Sequence, residues 1–141
     1  MPLLRIEYDD GMPPEVRSAL DPLIEKWKHI VPAWCQRIWC SWSEDNEQKC
    51  QITVREDQRD ALLSVHPNWM TLPHEREVTI IHELCHFYNS PLRWEGADCI
   101  KLIVGNDHPT PGSRIAESRL TECCERQNND LVALVLGLSE R

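Results

Sequence analysis

Two histidines four residues apart, His82 and His86, stand with a glutamate at position 83 in a stretch whose apolar residues recur at helical spacing. No other feature restricts the fold as strongly. On a helix from Val78 to Tyr88, positions four apart differ by about 40° in azimuth, so both imidazoles leave one face a turn apart, within reach of one ion. Glu83 lies about 60° round from His86 and borders that face without occupying it. A carboxylate there is placed to take a proton from a water held by the ion. Ile80, Ile81, Leu84, Phe87 and Tyr88 fall on the opposite side, while Val78 and Cys85 flank the histidines, so the helix reads as buried nearly all round. Imidazoles on a buried helix cost desolvation unless they find partners, so the fold must bring other polar groups to that face.

A metal site that does chemistry uses three protein ligands and keeps one position open. Asn89 and Leu92 occupy the positions where a metzincin continuation needs Gly and His, which excludes that pattern. Glu95 and Asp98 follow soon after the helix and stay open as third ligands. The last helical segment, Ser113 to Gly137, repeats Ala116, Leu120, Cys123, Cys124, Leu131, Leu134 and Val135 at helical spacing. Glu117 shares that apolar face, whereas Glu122 and Glu125 project towards Arg119, Arg126 and Asn129 on the wet side. A carboxylate turned to a core is costly unless it is paired or binds a metal, and that cost singles out Glu117.

His82, Glu83 and His86, with a glutamate on a later helix, resemble the gluzincin branch of zinc metallopeptidases in a minimal single-domain form. The run Glu117-Ser118-Arg119-Leu120-Thr121-Glu122 is similar to the glutamate-helix segment of small phage- and prophage-encoded zincin-like proteins. The resemblance implies zinc on His82, His86 and Glu117, and Glu83 as general base in a zinc-activated-water hydrolysis of peptide bonds. It also implies an extended substrate added to a sheet edge. One departure concerns the position four after the glutamate, where many gluzincins carry an aspartate that orients a histidine; here it is Thr121. An oxyanion stabiliser is also expected, with His108 and Arg114 as candidates, while Tyr88 faces away from His86 on the wheel.

At 141 residues the chain is long enough for one domain with a core around a single site, and residues 1–141 are read as such. A formal charge of −8 argues against nucleic acid as the main partner. No apolar run approaches the roughly 20 residues that span a bilayer, and Met1-Pro2-Leu3-Leu4-Arg5 lacks a signal-peptide pattern, so a cytoplasmic protein without a membrane partner is expected. Seven cysteines without a CxxC pair fit reduced thiols better than a disulfide framework or a zinc ribbon.

The element order predicts an α+β fold of zincin type. Pro13-Pro14-Glu15 opens an amphipathic backing helix through about His29, with Val16, Leu20, Leu23, Ile24 and Trp27 inward and Pro22 as an interruption. Ile38, Cys40 and Trp42 alternate with polar or solvent-side neighbours, as do Cys50, Ile52 and Val54 after the polar turn Ser43 to Lys49; Asp60 to His66 supplies a third strand, halted at Pro67. A small mixed or antiparallel sheet of about three strands follows. Ala97 to Val104 reads as a short helix, and 105–112 as a loop beside the cleft. Two other function classes share these residues: a catalytically silent zinc-stabilised interaction module, and a zinc hydrolase of a non-peptide amide. Glu83 argues against the first, since metal binding alone does not require it.

Overall fold

A computed structural model describes residues 3–46, 48–89 and 111–139. The fold is α+β; the described residues form a small mixed sheet of four strands and four helices. The chain divides into two compact units, Met1–Phe87 and Tyr88–Arg141.

The first unit holds the sheet. Its strands are β1 (Arg5–Tyr8), β2 (Arg37–Trp42), β3 (Cys50–Arg55) and β4 (Asp60–Val65), in spatial order β1-β2-β4-β3. β1, β2 and β4 run parallel, and among the described residues β3 is an antiparallel outer strand paired with β4. The alternation read in the sequence is present: Ile38, Cys40, Cys50, Ile52, Ala61, Leu63 and Val65 are buried on one face. Tyr8 pairs with Cys40 and so shares that face, and its hydroxyl donates to Asp21 of helix α1 (Pro14–Trp27). This places α1 on the buried side. Val16, Leu20, Ile24 and Trp27 line its inner stripe, Leu23 is half-buried, and Pro22 lies within the helix with its ring in solvent.

One expectation changes: the sheet has four strands, because Arg5–Tyr8 adds a parallel edge to β2. β4 inserts between β2 and β3, so the strands flanking the polar turn are not neighbours. Pro67, which follows the end of β4, opens a short helix α2 (Pro67–Thr71), where its missing N–H costs nothing at the first turn, and the 3₁₀ turn Pro73–Glu75 follows. The histidine helix, α3, then covers 76–89.

On the other sheet face, Asp60 is 4% exposed and is gripped by two guanidinium groups. Arg55 donates through Nε at 2.7 Å and Nη2 at 2.6 Å, and Arg37 through Nη2 at 3.1 Å. The Arg55 fork, helped by Arg37 and opposed by desolvation, holds the Asp60 carboxyl below the usual carboxylate range. A depressed folded-state pKa contributes stability above the unfolded value of about 4, and that contribution disappears as pH falls through the folded value. Asp60→Asn should therefore cost about 1–2 kcal/mol at pH 7, discounted because both arginines are partly exposed, and less at pH 3. Urea unfolding of both proteins at the two pH values checks this; an equal deficit at both would remove the charge pairing as its cause.

Candidate metal centre

The N-terminal end of α3 is fixed from three directions. Trp69, 1% exposed, donates its indole N–H to the Arg76 carbonyl at 3.2 Å, and Arg76 returns a bond of 2.6 Å to the Met70 carbonyl. Glu77 accepts from Lys26 Nζ at 2.6 Å and from the Trp27 indole at 2.8 Å, which joins α3 to α1. Thr79 donates to the Glu75 carbonyl at 2.9 Å. Beyond this anchored turn, Ile80, Ile81, Leu84, Cys85 and Phe87 are at most 2% exposed, and Phe87 meets Trp34 edge-on with ring centroids 5.7 Å apart. Val78 and Tyr88, by contrast, are 45% and 56% exposed, so α3 is not buried all round and Tyr88 does not join the apolar side.

His82 and His86 leave α3 together. Both are half-buried, with ring centroids 5.0 Å apart and planes at 84°. Glu83 between them is 8% exposed, and its Oε2 accepts the backbone N–H of Ile52 at 2.9 Å. The register accounts for that partner: His66 N–H bonds Lys49 O, so odd positions of β3 turn towards β4 and the amides of Cys50, Ile52 and Val54 point off the unpaired side. Cys85 is buried beside the site, and burial pushes its thiol up to about 11. Cys35, Cys40, Cys50, Cys123 and Cys124 are free thiols as well.

The connection leading into β3 is pinned at several points. His66 Nδ1 lies 2.8 Å from the Asp45 carbonyl, which can only accept, so Nδ1 donates, and Nε2 is hydrogen-bonded with Ser64 Oγ at 3.1 Å. Lys49 pairs with Glu75 at 2.5 Å, and Asn68 donates to the Asn46 carbonyl. These bonds set the strand that presents the Ile52 amide.

The second unit contains the end of α3 and the helix α4 (Pro111–Ser139). Its buried stripe is Cys124, Asn128 and Val132, spaced by four, with Thr121, Glu125, Leu131 and Val135 half-buried alongside. The helical wheel drawn from apolar residues alone was centred elsewhere. Cys123, Ile115 and Leu134 are exposed, Glu117 is exposed with Glu122, and Glu125 is half-buried, which reverses the expected order of Glu117 and Glu125. Asn128 explains the error, since a fully buried amide in the stripe carries no hydrophobic signal. Thr121 donates its hydroxyl to the Glu117 carbonyl at 3.0 Å, one turn back in its own helix. Asn89, the last described residue of α3, is 4% exposed and donates through Nδ2 to the Cys124 carbonyl at 2.8 Å and to Asn128 Oδ1 at 3.4 Å. Neither asparagine was anticipated; the i, i+4, i+8 spacing of Cys124, Asn128 and Val132 is the signal that points to them.

Arg114 is exposed on α4, and Glu95, Asp98, Cys99, His108 and the short helix expected over 97–104 lie outside the described residues. No described helix is long and apolar enough to cross a membrane. Compared with known proteins, the chain matches no family model, no curated protein and no solved structure.

Proposed function

We propose that the chain is a zinc-dependent peptidase of zincin type, with His82 and His86 as metal ligands and Glu83 as general base. One observation carries this reading: His82 and His86 leave one face of α3 with ring centroids 5.0 Å apart, and the buried Glu83 borders that face. Two imidazoles a helical turn apart are donors that suit zinc. When bound, zinc polarises a carbonyl and brings the pKa of a water towards neutrality. Glu83, bordering the histidine face, takes up a proton and passes it to the leaving amine, while the Ile52 amide holds its carboxylate in orientation.

Elemental analysis of the wild type, His82→Ala and His86→Ala tests this. One zinc per wild-type chain, lost in both variants, is the expected result, and a wild type that stays metal-free after zinc is supplied would end the metallopeptidase reading.

A further inference from the structure

We propose that α4 joins two copies of this chain as an antiparallel helix pair, through an apolar row that the Tyr88–Arg141 unit leaves uncovered; this does not rest on the metal reading above. One side of α4 is buried through Cys124, Asn128 and Val132. Beside it, further round the helix, runs a second row of Ala116, Leu120, Cys123, Gln127, Leu131 and Leu134, at spacings of 4, 3, 4, 4 and 3 residues. Gln127 is its one polar member. Cys123 and Gln127 are exposed, Leu134 is 58% exposed, and Ala116, Leu120 and Leu131 are half-buried. Leu131 follows Leu120 by eleven residues, three turns of about 3.67, so the row stays on one side of a straight helix. From Ala116 to Leu134 it extends about 27 Å. Its C-terminal half borders a hollow of about 430 Å³ lined by Tyr88, Asn89, Gln127, Asp130, Leu131 and Leu134. Tyr88, 56% exposed, and Leu134 give this hollow apolar walls open to solvent, the kind of surface that marks an interaction site.

The charges beside the row identify the occupant. Arg119, Arg126 and Asp130 flank it on the side away from Cys124 and Asn128, and all three are exposed. An isologous antiparallel pair brings that flank against the same flank of the second copy, so Arg119 faces Asp130 of the second copy and Asp130 faces its Arg119. The alignment that makes these two ion pairs also opposes Ala116 to Leu134, Leu120 to Leu131 and Cys123 to Gln127. One register therefore satisfies the charges and the apolar row together. A parallel pair does not, because it turns the charged flank towards the opposite flank of its neighbour, where Cys124 and Asn128 are already buried.

Sedimentation equilibrium of the full chain, kept reduced so that Cys123 forms no crosslink, tests this. The wild type should dimerise reversibly. Leu134→Glu should raise the dissociation constant about tenfold or more with helix content unchanged by circular dichroism, since the side chain it replaces is largely exposed. Asp130→Arg sets like charges against each other and should weaken the dimer by a similar factor, whereas Arg119→Asp/Asp130→Arg exchanges the two charges and should restore wild-type association. A wild type that stays monomeric up to about 1 mM overturns the proposal. So does a dimer indifferent to Leu134→Glu, which would lie elsewhere on the chain. A charge exchange that stays as weak as Asp130→Arg overturns the antiparallel alignment and the proposal with it.

Discussion

Glu83→Gln is expected to lower peptide turnover by about 10²- to 10⁴-fold with zinc content and thermal midpoint close to wild type. The glutamine keeps an oxygen able to accept the Ile52 N–H, so the contact between α3 and β3 survives. The two histidines are untouched. What the substitution removes is the capacity to take a proton, the one property the proposed chemistry asks of position 83. Wild-type cleavage of a peptide library supplies the substrate for the comparison, and elemental analysis runs beside it. Equal turnover in the variant would remove Glu83 from the mechanism. Loss of zinc together with turnover would reassign it to holding the site together.

Saturation with zinc should raise the unfolding midpoint by about 10 °C. Free zinc at a thousand times its dissociation constant stabilises the bound fold by about 4 kcal/mol, and for a chain of this length each kcal/mol moves the midpoint by roughly 2–4 °C. His86→Ala should abolish the shift. Thermal scans of both proteins in chelator and in excess zinc give the comparison directly. A shift of the same size in His86→Ala would locate the ion elsewhere, with the exposed Cys123 thiol the first place to look.

The parts of this molecule that were readable in advance are those in which one face is apolar without interruption. Ile38 and Cys40, Cys50 and Ile52, and Leu63 and Val65 announced their strands because a two-residue period survives whatever the strands pair with. Their order was not readable. Seven polar residues between β2 and β3 look like a hairpin loop, and only the insertion of β4 excludes that pairing. Arg5–Tyr8 is too short, and too mixed in polarity, to stand out before β2 supplies its hydrogen bonds. Pro67 was read as a strand terminator, which it is, but proline also starts helices, and the two signals coincide at one residue. In the candidate site, His82, Glu83 and His86 could be placed by helical geometry alone. The long helix could not be oriented, because its buried stripe runs through Asn128 while Ile115 and Leu134 stand outside. A wheel weighted by hydrophobicity turns such a helix the wrong way and promotes Glu117 over Glu125.

The bond from Ile52 to Glu83 bears on self-association as well as chemistry. An outer strand with an unclaimed amide is a template for a strand of another molecule. Glu83 claims the central amide on the side of β3 that no described strand pairs, between those of Cys50 and Val54, and so breaks that template at its midpoint. A chain stripped of the side chain at position 83 would lose this guard and gain a sticky rim, even if it had never cleaved a bond. Solubility and chemistry would then be selected through the same carboxylate, and a catalytically silent descendant would still be under pressure to keep an acceptor there.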